Sequence, residues 1–108
     1  MAQDFRNVLV RQIGTADTTL LAGGYYDAVI GIRCCNILTT TIAVDVKIAK
    51  SGADYFLAKG VSIPPNSAIE LIQGGAKIVL DSTNTLEAVS DTASSLDVTL
   101  SYIDTISS

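Results

Sequence analysis

The chain has no histidine and no tryptophan, only two cysteines and two prolines, and no long apolar run. Each shortage closes off a class of chemistry. Without histidine there is no imidazole to activate a serine or cysteine nucleophile, and none to ligate a transition metal. The two cysteines are neighbours, Cys34 and Cys35, and nothing near them in sequence supplies the base or helix N-terminus that lowers a thiol pKa. Adjacent side chains of a strand point to opposite faces. The pair is therefore expected to stay reduced, one thiol in the core and one on the other face, and not to close a disulfide or share a metal. The longest uncharged stretch, Cys34 to Val44, is interrupted by Asn36, Thr39, Thr40 and Thr41 and cannot span a bilayer. The N-terminus shows no basic region followed by an apolar stretch, so no secretory signal is expected.

Cations are also scarce. Seven Lys or Arg stand against eleven Asp or Glu, for a net charge of −4, and they are dispersed at Arg6, Arg11, Arg33, Lys47, Lys50, Lys59 and Lys77. Duplex binding needs clustered cations that displace condensed counterions, so no nucleic-acid partner is expected. Nor is a phosphate loop expected, because Gly23-Gly24 and Gly74-Gly75 lack the strand-to-helix setting it requires. Among carboxylates, Asp45 and Asp97 are expected on outward strand faces, each able to pair with Lys47 or Arg33 across a sheet. A glycosidase needs two carboxyls facing one cleft. Calcium needs six or more oxygens, and Asp81, Asn84 and Asp91 are too dispersed to supply them, so they read as solvated turn residues. No enzyme and no cofactor is expected.

What the chain does contain is strand. Forty-eight per cent of 108 residues are hydrophobic and 17 % charged, enough for one core and one domain, 1–108. Ile42, Val44, Val46 and Ile48 alternate with Thr41, Asp45 and Lys47. Leu96, Val98, Leu100 and Tyr102 alternate with Asp97, Thr99 and Ser101, and Ala28, Ile30, Ile32 and Cys34 with Gly31 and Arg33. This period of two belongs to half-buried strands. Lys50-Ser51-Gly52-Ala53 predicts a hairpin, Gly74-Gly75 a second one, and Pro64-Pro65-Asn66-Ser67 and Asp81-Ser82-Thr83-Asn84 turns. The expected strands are about 6–13, 18–21, 26–35, 41–49, 54–58, 68–73, 76–80, 85–89 and 95–104. Eight or nine short strands with turns every eight to twelve residues predict an all-β antiparallel β-sandwich or jelly roll.

The strand faces carry eleven threonines and ten serines, and Tyr25, Tyr26 and Tyr55 fall at corners. Such a surface suits protein contact, although ordinary exposed β residues would look the same. The terminal segments add Phe5, Val8 and Val10 at one end and Ile103 and Ile106 at the other, apolar residues outside the best-patterned core. Either they pack against a neighbouring subunit, giving a homo-oligomer such as a trimer, or they close the chain's own sandwich.

One order of motifs has a likeness elsewhere. Ile13-Gly14-Thr15, Thr18-Thr19-Leu20, Val29-Ile30-Gly31-Ile32, Val44-Asp45-Val46, Asp54-Tyr55-Phe56-Leu57-Ala58-Lys59, Ile63-Pro64, Glu70-Leu71, Gly75-Ala76-Lys77-Ile78-Val79-Leu80, Leu96-Asp97-Val98 and Ser101-Tyr102 follow one another over roughly residues 8 to 104. The series resembles small virion structural proteins of tailed bacteriophages. It departs from them at Gly23-Gly24, where similar sequences tend to have a proline, and at Asn84, where they have an Asp-containing turn. The resemblance implies a non-enzymatic protein of the particle, assembled in the host cytoplasm and partnered by other virion proteins such as the major capsid protein or those of the tail and neck. A capsid decoration (cement) subunit is the first expectation. A neck or tail component is an alternative, as is a carbohydrate- or receptor-binding sandwich. A small hydrolase comes last.

Overall fold

Alternating side chains become nine strands in the computed structural model, which describes residues 5–23, 26–72 and 77–104. In chain order they are β1 (Phe5–Ile13), β2 (Thr18–Ala22), β3 (Tyr26–Asn36), β4 (Ile42–Lys50), β5 (Ala53–Ile63), β6 (Ala68–Glu70), β7 (Ile78–Asp81), β8 (Thr85–Ser90) and β9 (Leu96–Ile103). No helix is present among the described residues.

Every ladder is antiparallel, and one rule relates most of them. Partner numbers add to 108 at Phe5↔Ile103, 106 at Thr18↔Ala88, 107 at Tyr26↔Asp81 and 103 at Lys50↔Ala53. The chain is thus a single two-track ribbon that turns back at Ser51-Gly52. Rolling the ribbon adds sideways ladders, β3 with β9 and β4 with β8. Two sheets result, ordered β1-β9-β3-β6 (with β7 also on β3) and β2-β8-β4-β5. Counting β6 and β7 as one interrupted strand gives eight strands in two interleaved sheets, the jelly-roll form of the expected sandwich.

Turn chemistry explains where the ribbon bends. Ser51 and Gly52 both take positive φ, 54° and 81°, as a two-residue hairpin turn that matches strand twist requires. Asp81 Oδ1 accepts from Thr83 N at 2.8 Å and Thr83 Oγ1 at 2.6 Å, and Asn84 Oδ1 accepts from Asp81 N at 3.0 Å, closing the 81–84 turn. At the neighbouring corner Gly23 N donates to Asn84 O at 2.9 Å. A Cβ on Gly23 would sit 2.0 Å from the Asp81 carbonyl oxygen, so lack of space, not dihedral freedom, demands glycine there.

The second expected hairpin does not form. β6 and β7 both run antiparallel to β3, so they point the same way, one after the other along its edge. β3, at eleven residues, is long enough to hold β7 at Tyr26–Val29 and β6 at Arg33–Cys35. Gly74 and Gly75 lie outside the described residues. The strand expected over 68–73 ends at Glu70, although Leu71 N still donates to Ile32 O at 2.9 Å. β5 runs to Ile63, beyond the expected 58, because bulges near Leu57 and Gly60 restore its pairing with β4.

The core lies between the sheets. Ile42, Val44, Val46, Leu96, Val98 and Leu100 are buried as their alternation predicts, joined by Ile13, Leu20, Ile32, Cys34, Ile63, Leu80 and Leu86, with Ile48 packed against them. Ile30 departs from its expected face. The β3–β9 register shifts between Val29 and Gly31, and the extra residue turns Val29 inward while Ile30 is left partly exposed. A bulge re-aims side chains in this way. Three buried polar groups close the two ends of strands: Asn36, and the Ser90–Ser95 hydroxyl pair at 2.6 Å. No buried side-chain N or O lacks a hydrogen-bond partner among the described residues.

Candidate functional site: the exposed apolar surfaces

Edge strand β5 carries the densest exposed apolar run. Its pattern of side chains changes at the Leu57 bulge: Val46 faces Ala58 but Lys47 already faces Phe56. Three consecutive residues are consequently uncovered, Tyr55 (59 % exposed), Phe56 (41 %) and Leu57 (38 %). Tyr55 shares the inward side with Ile48, its partner across the ladder, yet sits near the hairpin tip on the outermost strand. Phe56 lies on the outward side under two ammonium groups, Lys59 Nζ at 4.3 Å and Lys47 Nζ at 5.8 Å from the ring centroid. Both fall within the range where a cation is attracted to a ring face.

Lys47 is the electrostatic centre of this face. Its side chain is only 8 % exposed, and Nζ donates to Asp17 Oδ2 at 2.9 Å and Asp54 Oδ2 at 3.1 Å. The bond to Asp17 first, then that to Asp54, raises the lysine pKa, outweighing the opposing effect of desolvation. Neither Lys47 nor Arg33 takes the expected partner, Asp45 or Asp97: Lys47 is held by this clamp, and Arg33 pairs with Glu70 at 2.6 Å.

Asp45 and Asp97 do something else. Asp45 Oδ1 accepts from Gly60 N at 2.6 Å, and Gly60 sits in the β5 bulge at φ 64°. Asp97 Oδ1 accepts from Gln12 N at 2.9 Å, and Gln12 sits in the β1 bulge at φ 56°. Each carboxylate therefore fixes an irregularity on an edge strand from the neighbouring inner strand. Kinked edges resist strand addition, so side-chain surface, not bare backbone, is what β1 and β5 offer a partner.

The outer face of the other sheet has an apolar row. Phe5, Ile103, Ala28 and Val79 are directly opposite one another across β1, β9, β3 and β7. Opposed residues share a face. Phe5 is 77 % exposed and Val79 52 %, and between them Ala28 is covered by its neighbours. Leu9, 69 % exposed, stands further along β1 on the same side. Phe5, Asn7, Ile30 and Ser101 line a shallow depression of about 670 Å³, which Arg6 and Tyr102 complete.

Of the residues expected at an interface, Phe5 is exposed and Ile103 is partly exposed in the row. Val8 and Val10 face Leu100 and Val98 across the ladder and pack against the chain's own core. Leu9, between them, takes the outward position. Tyr25 and Ile106 lie outside the described residues, and Tyr26 enters only as the first position of β3. Leu57 and Val79 were missed because strict alternation hides Leu57 and an inward–outward choice for β7 needs its partner strand.

Cys34 is buried and Cys35 partly buried, both free, on opposite sides of β3 as adjacent strand residues must be. Burial, reinforced by Glu70, pushes the Cys34 thiol up to about 12, away from the thiolate. No group of three or more His, Cys, Asp or Glu able to hold a metal ion occurs among the described residues.

Stability should be flat near neutrality and fall at both extremes. The Thr83 hydroxyl and amide lower the Asp81 pKa, and the Ala43 amide and Thr92 hydroxyl lower that of Asp91. Depressed carboxylates contribute above their unfolded pKa, near 3.9, and that contribution disappears as pH falls through the folded value. Lys47, raised, contributes below its unfolded value near 10.4 and loses this as pH rises through the folded one. Thermal melts across pH should show a plateau with Tm declining below about pH 4 and above about pH 9, where the buried Cys34 thiol, held neutral in the fold, begins to ionise in the unfolded chain. Lys47→Met should reduce the alkaline decline, to which the raised Cys34 and Tyr102 also contribute, and leave the acid one unchanged.

No protein-family model matches the chain, and neither a curated protein nor a solved structure gives a significant match.

Proposed function

We propose that the protein is a non-enzymatic structural component of a tailed-phage particle, a capsid decoration subunit that works by packing on other virion proteins. The observation that carries this reading is the uncovered Tyr55-Phe56-Leu57 run on β5, beside a bulge locked by Asp45. Aromatic residues held rigid on a sheet give contact area at small entropic cost, and they are typical of the energetic centres of interfaces. The jelly-roll form and the order of motifs from residue 8 to 104 support the assignment to a particle. A neck or tail component would use the same surface.

A carbohydrate- or receptor-binding module is the second reading, favoured by one feature: the depression beside the exposed Phe5 ring, edged by Asn7, Arg6 and Ser101. A sugar would stack on such a ring and hydrogen-bond to its polar rim.

Quantitative mass spectrometry and imaging of particles from the genome that encodes the chain should find it at high, symmetric copy number on the capsid. A copy number of a few per particle would move it to the neck or tail, and absence from particles would reject the reading. Replacing Tyr55, Phe56 and Leu57 together by serine should lower Tm but keep the β circular-dichroism spectrum, and, measured on the folded protein, weaken particle binding by about 2 kcal/mol or more, roughly thirtyfold in Kd.

A further inference from the structure

Four edges border the sandwich: β1 and the β6–β7 line on one sheet, β2 and β5 on the other. Register breaks occur in β1 between Val10 and Ile13, in β2 between Thr19 and Leu21, and twice in β5. β7 differs. Its ladder with β3 runs unbroken from Tyr26↔Asp81 to Val29↔Ile78, and no strand covers its other side among the described residues; Asn84 takes the N–H and C=O of Asp81, so the open backbone is that of Ile78 to Leu80. An edge without a register break is a template for another strand, here over Ile78 to Leu80.

The sequence of that edge is self-complementary. Val79 is exposed and shares the outward side with Asp81, while Leu80 is in the core and Ile78 packs against it; Lys77, exposed, immediately precedes the strand and takes the outward side if the alternation continues through it. We propose that β7 pairs antiparallel with β7 of a second copy, about a two-fold axis through Val79. Val79 then faces its own copy, Ile78 faces the partner's Leu80, and Lys77 faces the partner's Asp81, twice over. Opposite charges directly across a strand pair are favourable, and like charges are not. Asp81 Oδ1 accepts from Thr83, so the lysine would be met by Oδ2.

Other registers are worse. A two-residue shift either way sets Val79 against Lys77 or Asp81 and breaks both ion pairs. A one-residue slip would turn the partner's core side outward. The chosen register also joins the apolar row Phe5–Ile103–Ala28–Val79 to its copy, making one continuous band across two molecules. An isologous contact of this kind closes as a dimer. It rests on the reading that the chain works by packing on protein, but self-association is measured with no particle present. A monomer would therefore overturn the pairing and leave the particle assignment standing.

The test uses the full chain. In a Cys35→Ser background, Val79→Cys places two thiols on the axis, within cross-strand disulfide reach. Mild oxidation with glutathione should give a covalent dimer by intact mass. Sedimentation should show a reversible dimer of the Cys35→Ser chain, with Kd on the order of micromolar. Lys77→Glu should raise that Kd by about tenfold or more and suppress cross-linking. Both substitutions are at exposed positions, so circular dichroism and Tm should match the parent. Absence of cross-linking, or a dimer indifferent to Lys77→Glu, would overturn the proposal.

Discussion

Leu100→Ala is expected to lower the unfolding free energy by about 3–4 kcal/mol, through lost transfer energy plus the cavity left behind. The reason is its place. β9 lies between β1 and β3, and Leu100 faces Val8 on one side and Ile32 on the other, with no solvent exposure. A domain of this size has about 5–15 kcal/mol in total, so much of it would be gone. Leu100→Met, similar in volume, should cost under about 1.5 kcal/mol. Urea unfolding followed by far-ultraviolet circular dichroism will measure both, with an unchanged slope showing that folded-state packing alone was altered. A loss below about 1 kcal/mol would mean that the core readily collapses around the gap.

Asn36→Ala should cost about 3 kcal/mol, although it deletes no apolar contact of consequence. Asn36 is fully buried at the end of β3. Its Nδ2 donates to the carbonyls of Thr40 (2.7 Å), Ile63 (3.0 Å) and Pro64 (3.1 Å), and its Oδ1 accepts from Leu38 N (2.9 Å). One side chain thus joins the loop after β3 to the end of β5, the two tracks of one crossing of the ribbon between sheets. Removing it strands backbone groups that water reaches poorly, each costing about 1–3 kcal/mol when unsatisfied. Asn36→Asp should be worse at neutral pH, since a carboxylate only accepts hydrogen bonds and would face three carbonyl oxygens. Chemical denaturation gives the magnitude, and faster hydrogen exchange at the Leu38 amide will localise it. An Asn36→Ala protein as stable as the parent would show that the carbonyls rehydrate freely.

Both effects bear on how much the sequence could say. Leu100 was identifiable from its alternation with Thr99 and Ser101, because period-two burial is a local property of a strand with one wet face. Asn36 was not, since its four partners come from residues 38, 40, 63 and 64, and only the pairing of the ribbon's two tracks brings the last two to it. The tight turn at Ser51-Gly52 was legible for the same reason as Leu100. A two-residue hairpin turn is a backbone requirement that the residues themselves carry.

Composition and periodicity by themselves determined an all-β chain, the inward faces of β4 and β9, the opposite facing of Cys34 and Cys35, and the positions of most corners. The tertiary structure alone decided three things. It placed β6 and β7 in line along β3, because strand pairing depends on which long strand offers an open edge and not on the glycines between two segments. It turned Ile30 outward and uncovered Leu57, because a bulge arises from mismatch with a neighbouring ladder, which a single strand's pattern does not contain. It converted Asp45 and Asp97 from expected ion-pair partners into clamps on edge bulges, and gave Lys47 to Asp17 and Asp54. Side-chain alternation is encoded two residues at a time. Register is set between strands up to 98 positions apart in the chain, as Arg6 and Asp104 illustrate, and only the packed sheets fix it.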